Sequence, residues 1–275
     1  MKILLTGRSG QVGSELHAIL QPLIATDHAT LDLADAGAIR RTVGEAKPSV
    51  IVNAAAYTAV DKAESEPDLA MRINGSAPGV LADEARRAGA LLVHYSTDYV
   101  FDGTLRSPYV ETDPPNPLGV YGRTKLDGEN RIRASGCRHL ILRTAWVYGR
   151  GSNFVRAILR QAEKGAALRV VNDQIGAPTW ARDIARVTSD LLRKGAEGTF
   201  NVSAAGSASW YEVALEILRL AGSALEVKAV NTAEYGARAP RPAYSVLDNG
   251  KLRAAGIAPI DDWRARLAVH LKSAT

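Results

Sequence analysis

The sequence predicts an α/β protein: a doubly wound parallel sheet of Rossmann type with a smaller α/β substrate-binding lobe. Three observations predict it. Runs that are apolar throughout, such as those at 3–5, 50–52 and 140–142, read as strands buried on both faces. Helical stretches separate these runs, which makes the strands parallel and covers both sides of the sheet. The first run leads into a glycine turn that opens a helix, T-G-R-S-G-Q-V-G, where backbone can approach a dinucleotide pyrophosphate.

In chain order, Ile3–Thr6 is the first strand. Gln11–Leu20 is a helix with Val12, Leu16 and Ile19 on one side. Leu23–Thr26 is the second strand. Asp35 is placed to cap a helix that runs to Lys47 and stops at Pro48. Val50–Ala54, Leu91–Tyr95 and Leu140–Arg143 are further strands, with helices over Pro67–Arg87 and Val120–Ala134. Beyond residue 150 helices are expected over Phe154–Lys164, Ala181–Leu192, Trp210–Leu220 and Asp262–Leu271. Strands are expected at Leu168–Val171, Thr199–Val202 and Glu226–Val230. This divides the chain into a dinucleotide-binding part, 1–149, and a mainly substrate-binding lobe, 150–275, with room for a strand or helix to return to the first part.

Composition narrows the function classes. A chain of 275 residues with 46% apolar and 23% charged residues buries a full core. The net charge of +5 favours anionic ligands. No dense basic run is present, so no nucleic acid partner is expected. No stretch has the roughly 18 apolar residues of a membrane span, and the N-terminal apolar run is too short for a signal peptide. Cys137, the single cysteine, has no internal disulfide partner; a cytoplasmic location is expected. The histidines at 17, 28, 94, 139 and 270 are too scattered for a zinc site.

Gly7, Gly10 and Gly13 form the turn. Asp27 closes the second strand, where an acid binds the adenosine ribose hydroxyls, and Asp32 and Leu33 follow on the adenine side. Asp27 suits the free hydroxyl of NADH, whereas Arg8 and His28 suit the phosphate of NADPH, so both cofactors stay open. The third strand ends in N-A-A-A-Y-T-A-V-D, whose small residues suit a ligand packed at the sheet edge. At the end of the fourth strand, Thr97 offers a hydroxyl above the same crevice. Tyr121 and Lys125 then stand four apart on one helical face. A cation about 4 Å from a phenolate at an effective dielectric of about 20 is worth roughly 4 kcal/mol, near three pKa units before desolvation. The lysine is therefore expected to lower the tyrosine toward working pH, where it exchanges a proton with a carbonyl or alcohol oxygen.

These segments resemble the extended short-chain dehydrogenase/reductases and, among their branches, the dTDP-4-dehydrorhamnose reductases. The resemblance covers nearly the whole chain. It rests on G-R-S-G-Q-V-G at 7–13, V-N-A-A-A-Y-T-A-V-D-K-A-E at 52–64, H-Y-S-T-D-Y-V-F-D-G at 94–103 and N-P-L-G-V-Y-G-R-T-K at 116–125. It continues through L-R-T-A-W-V-Y-G at 142–149, N-D-Q-I-G-A-P-T at 172–179 and R-P-A-Y-S-V-L-D at 241–248. It implies reduction of a dTDP-linked 4-keto-6-deoxysugar. Tyr121 would protonate the C4 oxygen, Lys125 would bind the nicotinamide ribose and tune the tyrosine, and Thr97 would orient the keto group. Asp98 and Trp146 match sugar-nucleotide contacts. Gly10, Gln11, Val12, Asp27, Asp32, Leu33, Ala56, Tyr57 and Thr58 match cofactor contacts. Arg241 suits the substrate diphosphate, since a guanidinium pairs with phosphate bidentately. Asp173, Gln174 and Thr179 serve either the sugar or the loop that joins the lobes.

One departure stands out. Some members dimerise around a metal held by three carboxylates. Glu15 matches one of them, but Arg182 and Arg264 occupy the other two positions. Arginine does not ligate a cation, so no bridging metal is expected, and the chain is expected to be a monomer or a weak homodimer. The alternatives are a reductase or epimerase of another nucleotide-linked 4-keto sugar, and a non-catalytic NADP-binding regulatory subunit. The intact Thr97, Tyr121 and Lys125 argue against the last.

Overall fold

The computed structural model describes residues 1–165 and 167–273. Six parallel strands form its main sheet: β1 (Ile3–Thr6), β2 (Ile24–Thr26), β3 (Val50–Asn53), β4 (Leu91–Thr97), β5 (His139–Thr144) and β6 (Gly198–Val202). Their spatial order is β2-β1-β3-β4-β5-β6. The order reverses between β1 and β3, and such a switch point opens a crevice at the carboxyl ends of the strands. The register aligns those ends: Thr6 pairs with Thr26 and Asn53, and Thr144 pairs with Thr97 and Val202.

The strands alternate between two cores because successive side chains point to opposite faces. Leu4, Ile51, Leu92 and Ile141 pack on one face with Ile39, Val43, Leu81 and Ile132. These last four belong to helices α2 (Ala36–Ala46), α3 (Ala77–Ala88) and α4 (Val120–Ser135). Leu5, Val52, Val93 and Leu142 pack on the other face with Leu16, Ile184 and Leu191. These lie on α1 (Gln11–Leu20) and on the helix Ala181–Arg193. Asp35 caps α2 as expected, accepting from the Gly37 and Ala38 amides.

After β5 come α5 (Phe154–Lys164), α6 (Ala181–Arg193), α7 (Trp210–Leu220) and α8 (Trp263–Ser273). The later half contributes to both parts of the molecule: β6 extends the main sheet beside β5, while Leu168–Val171 pairs with Val227–Val230 in a small separate sheet.

Most element bounds fall within one or two residues of expectation, and two of the differences shape the site. β4 runs on through Thr97, with all seven residues buried, which carries the Thr97 side chain to the sheet edge. The helix expected over 67–87 is broken by a π-helical turn at Arg72–Ser76. The wider turn lets Asn74 leave its own helix and hold the loop after β3. Its amide accepts from the Tyr57 backbone N–H and donates to the Tyr57 carbonyl, both at 2.9 Å.

Candidate active site

The glycine turn after β1 is compressed against its neighbours. Gly7 has φ 74°, and a Cβ there would stand 2.7 Å from the Ala55 nitrogen. A Cβ on Gly13 would stand 1.9 Å from the Gly7 carbonyl oxygen. Only glycine lets the β1 and β3 loops approach this closely. The α1 N-terminus has no side-chain cap, so its free N–H groups face the groove that starts here.

That groove has a volume of about 470 Å³. It runs from Gly7, Gly10, Gln11 and Val12 past Ala56 and Thr58 to Tyr121 and Lys125. The Thr144 hydroxyl lines it too, buried and without a hydrogen-bond partner among the described residues. A buried hydroxyl without a partner fits a ligand that brings polar groups. The uncapped helix, glycine turn and Lys125 thus suit a dinucleotide.

A central cavity of about 370 Å³ adjoins the groove and holds Thr97, Asp98, Tyr121 and Trp146. Tyr121 lines both spaces. An outer cavity of about 390 Å³ follows, lined by Asp61, Arg169, Gln174 and Arg241. Tyr99, Phe154 and Trp210 border both the central and outer cavities. The three spaces form one path, with Tyr121 at its first junction.

At that junction the electrostatics differ from the sequence expectation. Burial pushes the Tyr121 phenol up to about 12, the Asp98 carboxylate adds to this, and a hydrogen bond with Thr97 opposes it. Lys125 does not lower it, because its ammonium is engaged elsewhere: it donates to the Tyr95 carbonyl at 2.6 Å and lies 3.2 Å from His94 Nε2. Burial brings Lys125 down to about 8. The shared helical face is real, but desolvation of the phenol outweighs any Coulomb gain from a cation committed to Tyr95 and His94. Tyr121 is consequently a neutral proton donor at neutral pH.

Thr97 Oγ1 accepts from the Tyr99 N–H and donates to Asp98 Oδ1 at 3.0 Å. Ser245 donates to Asp98 Oδ2 at 2.6 Å, so the R-P-A-Y-S segment reaches the reacting end through this carboxylate. Burial raises Asp98 to about 7, against the bonds from Ser245 and Thr97. The Tyr99 ring stands edge-on to Tyr121, with centroids 5.8 Å apart.

Arg241 makes a two-pronged pair with Asp61, at 3.0 and 2.8 Å, and also donates to the Ala239 carbonyl. It therefore reaches the outer cavity on a fixed base. Gln174 lines that cavity, whereas Asp173 is tied to Thr232 and Thr179 to Ala177 and Ala204.

Other predicted cofactor contacts lie off the groove lining. Asp27 accepts from Arg8 Nε at 2.9 Å and is held below its usual range by that bond and by Thr30. Asp32 accepts from the Ala34 N–H, and Leu33 is buried in the core on the α2 side. Tyr57 donates its hydroxyl to Glu66. Gly13 packs behind the turn. Sequence reasoning missed Asn53 and Thr144, although each ends a parallel strand, His94, which pairs with Asn53 from the middle of β4, and Tyr99 just beyond β4. Position at the carboxyl edge of the sheet was the signal available for the strand residues.

The model of a family described as the RmlD substrate binding domain matches residues 1–275. The chain is 44% identical to a dTDP-4-dehydrorhamnose reductase of Burkholderia thailandensis, over 96% of each chain. Among solved structures it is similar to a dTDP-4-dehydrorhamnose reductase of Clostridium acetobutylicum, with TM-score 0.97 and 41% identity over 100% of this chain and 99% of that one. It is also similar to one from Bacillus anthracis in complex with NADP, with TM-score 0.95 and 35% identity over 99% and 100%.

Proposed function

Because the chain belongs to the RmlD substrate binding domain family, we propose that it reduces the C4 keto group of dTDP-4-dehydro-L-rhamnose to dTDP-L-rhamnose with NADPH or NADH. The observation that carries this reading is the place of Tyr121, the proton donor shared by a dinucleotide-shaped groove and a cavity with sugar-sized volume.

The nicotinamide, when bound, supplies the hydride. The chain supplies the rest. Tyr121, neutral at working pH, gives its phenolic proton to the C4 oxygen as charge develops there. Thr97 holds the phenol before substrate arrives, and its hydrogen bond to Asp98 fixes the hydroxyl's direction. Lys125, committed to Tyr95 and His94, keeps one ammonium hydrogen for the groove, where it binds a ribose hydroxyl. Arg241 faces the diphosphate from its seat on Asp61.

In this reading residues 1–149 carry the cofactor and 150–275 mainly the sugar nucleotide. No helix among the described residues is long and apolar enough to cross a membrane. A cytoplasmic enzyme, monomeric or weakly dimeric, is the proposed form. Following cofactor absorbance with the keto sugar, and identifying the alcohol formed, tests the proposal.

A further inference from the structure

Lys125 stands at the end of a buried chain of polar contacts along the carboxyl edge of the sheet. Its Nζ lies 3.2 Å from His94 Nε2. His94 Nδ1 lies 3.1 Å from the Asn53 amide, and that amide's other polar atom lies 2.7 Å from the Thr6 hydroxyl. Thr6, Asn53 and His94 are each 1% exposed and Lys125 is 2% exposed, so the groups must satisfy one another. Thr6 pairs with Asn53, and Asn53 with His94, in the register of β1, β3 and β4. The sheet itself sets the spacing.

The hydrogens in this chain have to be consistent. An ammonium only donates, so His94 Nε2 accepts from Lys125. A neutral imidazole has one acceptor nitrogen and one N–H, which leaves the hydrogen on Nδ1. The Asn53 atom facing Nδ1 is then its carbonyl oxygen, and its nitrogen donates to Thr6. The two ends of an amide have nearly the same shape, so this is an exchange of nitrogen and oxygen without movement. Burial and the Lys125 charge hold His94 well below its usual range, which keeps the ring neutral. Two of the three ammonium hydrogens thus go to Tyr95 and His94. One remains for the groove that Lys125 lines.

We propose that Thr6, Asn53 and His94 are positioning residues for Lys125. They fix His94 as the Nδ1–H tautomer, and its bare Nε2 aims the last ammonium hydrogen at a ribose hydroxyl of the bound dinucleotide. The ribose contact rests on the proposed function; the tautomer does not.

Two measurements test this. Long-range ¹H–¹⁵N NMR of the ligand-free protein near neutral pH, with His94→Gln to assign the signal, is expected to show a neutral ring protonated at Nδ1. A ring protonated at Nε2 would overturn the proposal, because Lys125 would then have to accept. In the second, NADPH binding is titrated by calorimetry. His94→Leu is expected to weaken it about tenfold, and His94→Gln, whose carbonyl can stand where Nε2 stood, to restore it to within about twofold. Unchanged affinity in His94→Leu, or equal losses in both variants, would overturn the positioning role. If His94→Leu does not fold, His94→Asn, whose amide is too short to reach Lys125, takes its place. A wild-type protein that binds neither NADPH nor NADH would instead sink the proposed function and leave the tautomer result standing.

Discussion

Trp146 lies flat against Trp210, with ring centroids 3.6 Å apart and planes 6° apart, on a backbone held at φ 45°. A non-glycine residue in that region costs on the order of 1–3 kcal/mol. Packing opposes the cost: Phe154 lies against Trp210 at 4.6 Å, and Gly176 leaves the Trp146 ring its space. The strain buys a wall of the central cavity, beside Tyr121.

Gly176→Ala tests that wall. A Cβ at Gly176 would stand 2.3 Å from the Trp146 ring, which must move and lose the stack. The expected outcome is a KM for the sugar nucleotide raised by about tenfold or more, with cofactor affinity unchanged. Tryptophan fluorescence should change with it. An unchanged KM would show that Trp146 does not shape the substrate site.

Tyr121→Phe removes the proton donor and keeps the ring that packs against Tyr99. Turnover should fall at least about a hundredfold, with NADPH affinity nearly unchanged. Steady-state kinetics and a binding titration separate the two effects.

Asp98 predicts a pH dependence of stability. Its folded-state pKa, about 7, lies above the ordinary 3.8, so the folded protein holds this proton more tightly than the unfolded chain. That contribution is full below the ordinary value and is lost as pH rises through about 7. Between about pH 5 and pH 8, wild type should lose about 2–3 kcal/mol relative to Asp98→Asn, from two pH units at 1.36 kcal/mol each. Denaturant melts of both proteins at the two pH values measure it. Parallel pH profiles would mean that Asp98 is ionised throughout.

The Arg8–Asp27 pair is the proposed discriminator between the two cofactors. Asp27→Asn removes the carboxylate that occupies Arg8 and repels a phosphate. The ratio of kcat/KM for NADPH to that for NADH should rise by about tenfold. An unchanged ratio would place the discriminating contact elsewhere.

The sheet was legible because uniformly apolar strands leave one topology class, and Asp35, Pro48 and the glycine turn punctuate it. Tyr121 and Lys125 were legible as helical neighbours. Their electrostatic relation was not, because it depends on desolvation and on a histidine thirty-one positions before the lysine. The π-helical turn at Arg72–Ser76 was invisible for a similar reason: it exists to bring Asn74 to Tyr57, a contact between separate elements. Arg241 read as a free phosphate ligand, and only the fold shows its Asp61 seat.

The most direct test follows NADPH and NADH absorbance with dTDP-4-dehydro-L-rhamnose, with the product's C4 configuration read by NMR. Oxidation of at least one cofactor, one equivalent per sugar, with formation of dTDP-L-rhamnose, is the expected result. No oxidation of either cofactor by folded protein, or a product epimeric at C4, would contradict the proposed function.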